Sequence, residues 1–304
     1  MRSVFAGSPQ AAVPSLRALV TSGHEVALVV TREDSAQGRR RTLTATPVAR
    51  AAEELGLPVL KTNRLAGAAQ KAIAAARPDL GVIVAYGGLV RDPLLSMPPL
   101  GWVNLHFSLL PRWRGAAPVQ HAIIAGDDLT GATVFRLVEE LDAGDVYGQY
   151  TQPIGPGQTA GELLEDLSAG GAELLRGVVQ AIARGEADAR PQSGDVTLAP
   201  KLTSADGAID LGARAVDIVN RIRGVTPEPG AFVVVDGDRL KVHRAAVSRD
   251  AEPLPPGRLA LAGGRLLAGS ATEPVELISV QPPGKRAMPG ADWWRGRRAG
   301  AVGE

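Results

Sequence analysis

The 304-residue chain has no cysteine, only four histidines, and aromatic side chains at 4% of its positions. Without cysteine there is no disulfide, no thiolate nucleophile and no sulfur-ligated metal, a composition that fits a reducing compartment. Four histidines leave little material for a metal centre, and none is expected. An excess of charge of one sign is also missing. Lys and Arg number 33 against 32 Asp and Glu, a formal net charge of +1, so any basic surface for a nucleic acid must be local. No uninterrupted apolar run reaches the roughly 18 residues of a membrane span. The opening MRSVFAGSPQ lacks the basic segment and long apolar run of a signal peptide. A cytoplasmic protein with no membrane partner, working as a monomer, is the expectation.

At about twice the usual domain length, the chain is expected to form one large or two unequal domains with ample core. Ser3–Ala6, Glu25–Val30, Asp79–Tyr86 and Trp102–His106 read as strands. Asp79–Tyr86 is apolar almost throughout, as a strand buried on both faces should be. Helical signals lie between the strands. Ser8 reads as an N-cap before Pro9, Thr46-Pro47 repeats that device, and Gly56 marks a stop. Strands alternating with helices predict an α/β fold, a doubly wound, mostly parallel Rossmann-like sheet whose ligands bind beyond the strand ends.

Thr159–Arg184 carries leucines at helical spacing, and periodicity then stops. The polar stretch 186–204 reads as a linker between a domain at 1–185 and another at 205–304. Beyond it, after a helix over Ala213–Arg223, come short β-branched runs at Ala231–Val235, Arg239–His243, Arg258–Ala262 and Val275–Val280. Asp236-Gly237 between two of these is a hairpin signal. A small OB-like β-barrel is predicted, an architecture that often binds nucleic acid.

Chemistry concentrates in Gly101–Gly148. Asn104 and His106, two apart on a strand, share a face, and LDAGD supplies Asp142 on a following loop. A carboxamide donor, an imidazole and a carboxylate are the parts needed for acyl transfer: the amide N–H stabilises an oxyanion while the other two move the proton of an attacking amine. A lone Asn at a strand end is usually a plain polar residue, and it is the neighbouring His106 that changes the reading. Ser108 also suggests a Ser/His/Asp hydrolase, but the chain has no G-x-S-x-G elbow, and a turn or ligand-contact role suits Ser108 better.

Three segments together carry a resemblance. Asn104-Leu105-His106, Ser108-Leu109-Leu110-Pro111-Arg112-Trp113-Arg114-Gly115-Ala116-Ala117-Pro118 and Leu141-Asp142-Ala143-Gly144-Asp145 resemble the signature of the methionyl-tRNA formyltransferase family. Counterparts in order are Phe5-Ala6-Gly7, Val84-Ala85-Tyr86-Gly87, Lys201-Leu202 and Pro283-Gly284-Lys285-Arg286-Ala287-Met288, so the likeness spans nearly the whole chain. Formyltransferases acting on small amines share the Asn, His and Asp; the WRGAAP turn and the second domain separate this family from them.

The resemblance implies direct transfer from 10-formyltetrahydrofolate to the α-amine of methionyl initiator tRNA, without a metal. Asn104 and protonated His106 would stabilise the oxyanion, and Asp142, through water, would orient His106 and accept the amine proton. Folate contacts are implied at Gly87, Gly88, Leu89, Val90, Ser108, Leu109, Leu110, Pro111 and Leu141. Four of these, Leu89, Val90, Leu109 and Leu110, read equally well as core. For tRNA the resemblance points to the loop carrying Arg39, Arg40 and Arg41, to Arg112 and Arg114, and to the second domain with Lys201, Lys285 and Arg286. An arginine run is more often a solvated face, and Arg112 and Arg114 could simply pack the turn. Thr226-Pro227-Glu228-Pro229-Gly230 has Glu228 where many relatives have tryptophan, and Ser35-Ala36-Gln37-Gly38 lacks the family's proline. His24 and His121 are assigned to structure. The competing functions are a formyltransferase for a small amine such as a nucleotide sugar, and a catalytically silent RNA-binding protein.

Overall fold

The structure, a computed structural model, describes residues 1–37 and 42–297; the expected contacts at Arg39, Arg40 and Arg41 lie outside the described residues. The chain divides into two compact units. One is Met1–Ala116 with Thr130–Gln152 and Leu164–Ala199; the other is Ala117–Leu129 with Pro153–Leu163 and Pro200–Glu304.

The first unit is built on a seven-stranded sheet. Its strands are β1 (Arg2–Gly7), β2 (Glu25–Thr31), β3 (Val59–Lys61), β4 (Leu80–Val84), β5 (Trp102–His106), β6 (Leu129–Arg136) and β7 (Val146–Pro153). They lie in the order β7-β6-β5-β4-β1-β2-β3. The pairs among β3, β2, β1, β4 and β5 are parallel, while β6 runs antiparallel to β5. The predicted, mostly parallel sheet is therefore present. Helices α1 (Val13–Thr21), α2 (Pro47–Glu54) and α3 (Ala68–Ala75) fall between its first strands. α2 begins as predicted, with the Thr46 hydroxyl accepting from Ala49 N at 3.0 Å and Pro47 in the first turn. Ser8 does not cap a helix. Pro9 opens a short 3₁₀ turn at Gln10–Ala12, and the Ser8 hydroxyl instead accepts from Arg32 N at 3.2 Å, at the end of β2. That tertiary partner competes successfully with the local cap.

The sequence periodicity leaves β3, β6 and β7 unannounced. β6 is buried over Thr130–Phe135, so it lacks the polar alternation that marks a half-exposed strand. The expected linker also departs from expectation. Val146 and Arg190 exchange backbone hydrogen bonds at 2.7 and 2.9 Å, and Leu198–Ala199 pairs with Arg114–Gly115. Residues up to Ala199 thus belong to the first unit, tied down by hydrogen bonds rather than by apolar burial, which is why no periodicity reveals them.

The second unit carries α4 (Pro118–Ala125), the start of α5 (Ala160–Arg184), α6 (Ala215–Gly224) and α7 (Gly290–Arg295). Its antiparallel sheet comprises β8 (Ala231–Val235), β9 (Asp238–Val247), β10 (Leu259–Ala262), β11 (Arg265–Ala268) and β12 (Val275–Gln281), in the order β8-β9-β12-β11-β10. Asp236 and Gly237 both have positive φ, 50° and 81°, the tight hairpin that an Asp-Gly pair favours. The sheet surrounds one core of Ile218, Ile222, Val233, Leu240, Val242 and Leu277, as a small barrel does.

The register that places the site depends on Trp102, which is 1% exposed and donates its indole N–H to Leu94 O at 2.8 Å. Its ring lies over Gly81, where an added Cβ would come within 2.1 Å of ring carbons. Gly81→Ala is expected to destabilise the fold by about 2 kcal/mol or more through overpacking, read as a fall of several degrees in the thermal midpoint.

Candidate active site

β5 places its residues by simple alternation. Leu105 is buried on one side, and Asn104 and His106 share the other. Asn104 is half-buried between Ile83 and Phe135 on the neighbouring strands, and among the described residues none engages its carboxamide. His106 ends the strand at 7% exposure, with the Phe135 ring edge-on at 6.5 Å.

Two loops converge on the His106 ring. Loop 107–117 folds back so that Trp113 O lies 2.8 Å from Nε2. Loop 137–145 leaves β6 beside Trp102, where Leu137 N donates to Trp102 O. It therefore begins at the far end of β5 from His106 and runs back along the strand to bring Asp142 to the ring. Asp142 Oδ2 stands 3.8 Å from His106 Nδ1 and accepts from Gly115 N at 2.8 Å. Trp113 and Asp142 both have positive φ, 61° and 48°, a conformation that disfavours side chains and collects at functional sites.

This geometry fixes the proton bookkeeping. A carbonyl cannot donate, so the 2.8 Å contact with Trp113 O puts a proton on Nε2. Burial then pushes the imidazole pKa below its ordinary value of 6.5, with the Asp142 carboxylate and the Trp113 carbonyl opposing that shift. The resting ring is neutral, and Nδ1 carries a lone pair facing the carboxylate. At 3.8 Å the two groups face each other beyond the reach of a direct hydrogen bond.

Other predicted residues divide into groups. Ser108 is fully buried and its hydroxyl donates to Arg112 O at 2.6 Å, so it holds the turn and offers no nucleophile. Leu110 and Val90 turn into the interior, and for these side chains the core reading holds. Leu109 is half-buried, and Pro111 follows a cis peptide bond. Gly87 O accepts from Arg32 Nη2 at 2.6 Å, and Gly88 lies against the Tyr86 ring. Leu89 and Leu141 are 69% and 55% exposed, unusual for leucine. Arg112 is exposed, with its guanidinium 5.2 Å from the Trp113 ring centre. Arg114, expected against tRNA, is turned inward: its side chain is 11% exposed and is paired with Glu140 and Gln192. Lys201, Lys285 and Arg286 are exposed in the second unit.

Sequence reasoning missed Thr197 and Gln192. The Thr197 hydroxyl accepts from Trp113 N, and its carbonyl accepts from Arg114 N, both at 2.9 Å. The available signal was a polar stretch without periodicity, which side-chain hydrogen bonds to other segments also produce.

Residues 1–179 match the family model described as formyl transferase, and 201–298 match that for the formyl transferase C-terminal domain. The methionyl-tRNA formyltransferase of Clavibacter sepedonicus is 60% identical over 97% of both chains. The chain belongs to the methionyl-tRNA formyltransferases. The enzyme of that name from Leifsonia xyli is 59% identical over 99% of both chains. The N-formyltransferase of Helicobacter canadensis, solved with folinic acid and dTDP-3-aminofucose, shares the fold with a TM-score of 0.69 over 92% of this chain and 98% of its own, at 16% identity. As a methionyl-tRNA formyltransferase the protein is a formyl-transferring enzyme of the family that uses formyl-tetrahydrofolate. No helix among the described residues is long and apolar enough to cross a membrane.

Gly115 has φ 124°, and an added Cβ would lie 2.7 Å from Ala199 O. Gly115→Ala should therefore displace the N–H that holds Asp142, lowering kcat on the order of 10- to 100-fold, as loss of a supporting contact does, in steady-state formylation assays. Buried neutral His106 also makes stability depend on pH. Its folded pKa lies below the unfolded value near 6.5, so the unfolded chain binds more protons between the two. This contribution is complete above about 6.5 and is lost as pH falls through that window. Urea melts at neutral and mildly acid pH should show the loss in the native protein and less of it in His106→Gln.

Proposed function

We propose that formyl transfer to methionyl initiator tRNA draws on 10-formyltetrahydrofolate and is carried by Asn104, His106 and Asp142, in the cytoplasm and without a metal. The supporting observation is the buried apposition of His106 Nδ1 and Asp142 Oδ2 at 3.8 Å, beside a carboxamide that no described residue engages. The donor supplies an N-formyl carbon. Over the reaction the methionyl nitrogen exchanges a proton for the formyl group, and the donor nitrogen gains that proton.

Each residue's part follows from its position. The Asn104 N–H is available to a developing oxyanion, where one good donor is worth about 10²–10³ in rate. His106 Nδ1 has the free lone pair and takes the proton of the attacking amine. Asp142 faces the resulting imidazolium and stabilises it until the proton passes to the leaving nitrogen. On this reading the ring begins neutral and becomes charged only during the reaction. Ser108 has no part in bond making.

The exposed leucines Leu89 and Leu141 fit a flat, partly apolar donor, together with the backbone at Gly87, Gly88 and Val90 and the Ser108–Pro111 turn with Leu109 and Leu110. For tRNA we assign Arg112, Lys201, Lys285 and Arg286, together with Arg39, Arg40 and Arg41; Arg114 holds the turn. Division of labour runs between the first unit, which carries Asn104, His106 and Asp142, and the second unit, which takes the tRNA. A basic face on the second unit supports this: Arg239 and Lys241 are exposed on β9, and the Arg239 guanidinium lies 4.5 Å over the Phe232 ring. Cations around an aromatic ring suit phosphates and bases.

Incubation with 10-formyltetrahydrofolate and methionylated initiator or elongator tRNA should yield formyl-methionine preferentially on the initiator. Asn104→Ala should lose about 10²-fold or more in kcat while still binding tRNA in filter assays. No product on either tRNA with the native protein would overturn the donor and acceptor assignment, and near-native turnover by Asn104→Ala would remove that side chain from the mechanism.

A further inference from the structure

Gln192 lies 50 residues beyond Asp142, in the stretch that reads as a linker, yet its carboxamide joins the two loops that hold the catalytic pair. Nε2 donates to Asp142 O at 2.7 Å and to Gly144 O at 2.9 Å. Oε1 accepts from Arg114 Nη2 at 2.8 Å and from Nε at 3.2 Å. Both N–H groups and the carbonyl oxygen are therefore used, and only one amide orientation satisfies them: reversing it would set the oxygen against two carbonyls and the NH₂ against a guanidinium.

The contacts fall at decisive places. Asp142 has φ 48°, a conformation that a non-glycine residue keeps only when its surroundings hold it there. Arg114 follows Trp113, whose carbonyl holds His106 Nε2, and precedes Gly115, whose N–H holds the Asp142 carboxylate. One side chain thus fixes the backbone of Asp142 and the turn that orients His106.

We propose that Gln192 is a positioning residue for formyl transfer, setting the Asp142 carboxylate against His106 Nδ1 by bridging the 137–145 loop to Arg114. This rests on the assignment of His106 and Asp142 as the proton-carrying pair. The groups facing His106 are Asp142 from its loop, the Trp113 carbonyl from the turn and the Phe135 ring from β6. Asp142 is the charged one among them, so its distance governs how far burial depresses the imidazole.

Two near-isosteric variants separate positioning from simple tethering. Gln192→Met removes every hydrogen bond. Gln192→Glu keeps a partner for Arg114 but loses both N–H donors and opposes two carbonyl oxygens. If positioning is the role, both should lower kcat on the order of 10- to 100-fold, with KM for donor and tRNA changed less than about threefold and the thermal midpoint little altered. In the free protein, the His106 ring titration followed by NMR, assigned against His106→Gln, should move to lower pH in Gln192→Met as the carboxylate withdraws; Gln192→Glu, which adds an anion of its own, is read by kcat. Native-like kcat in Gln192→Glu would reduce Gln192 to a tether for Arg114 and overturn the proposal; so would an unchanged His106 titration in Gln192→Met. If Gln192→Met does not fold, Gln192→Leu, equally neutral and without hydrogen bonds, carries the same readouts. The titration needs no substrate, so a shift in it stands even if the native protein gives no formyl-methionine, which keeps failure of the donor and acceptor assignment distinct from failure of this one.

Discussion

A neutral imidazole facing a carboxylate, both shut away from water, is the constraint on which the rest of the first unit depends. Neither group gains from the arrangement at rest: the ring is depressed by burial and its lone pair faces an anion at 3.8 Å. The attraction comes only when a proton reaches Nδ1. Two opposite charges at that separation attract by about 4 kcal/mol at an effective dielectric near 20, which offsets part of the burial that disfavours the charged ring. Holding such a pair together beforehand needs support from outside it. Trp113 O, Gly115 N–H and the Gln192 carboxamide provide that support.

The sheet sets up this arrangement at a distance. Trp102 packed on Gly81 fixes β5 against β4, and strand alternation then presents Asn104 and His106 on one side. The antiparallel turn of β6 releases the Asp142 loop at the wrong end of β5, so that loop must travel the length of the strand and be anchored where it arrives. Positive φ at Trp113 and Asp142 and the close backbone pairing at Gly115 follow from bending two loops back over one ring.

What could be read from the residues and what could not divide along physical lines. Asn104 and His106 were legible because a spacing of two on a strand is a geometric statement, and the parallel sheet because its strands are apolar and bounded by turn residues. The order of the strands, the return path of the 137–145 loop and the place it gives Asp142 depend on contacts distant in sequence. For Arg114 the sequence leaves tRNA contact and turn packing open, and only Gln192 and Glu140 around it decide for the turn. The stretch through Ala199 carries no periodicity because its ties run through side-chain amides, hydroxyls and backbone rather than through an apolar face. Ser8 illustrates the same limit, since a serine before a proline signals a cap only when no better partner waits for it at the end of β2.

The alternation of the two units along the chain has a consequence for how the protein can be divided. Six segments alternate between the units, so the backbone passes from one to the other five times. Ile124 on α4 packs against the core of the second unit, although it lies about eighty residues ahead of that unit's main body. No single cut therefore yields two complete pieces: a fragment ending before Pro200 keeps an apolar helix face whose covering has gone, and one beginning there lacks part of its own interior. Exchange of the second unit for another must therefore carry three separate stretches of sequence together.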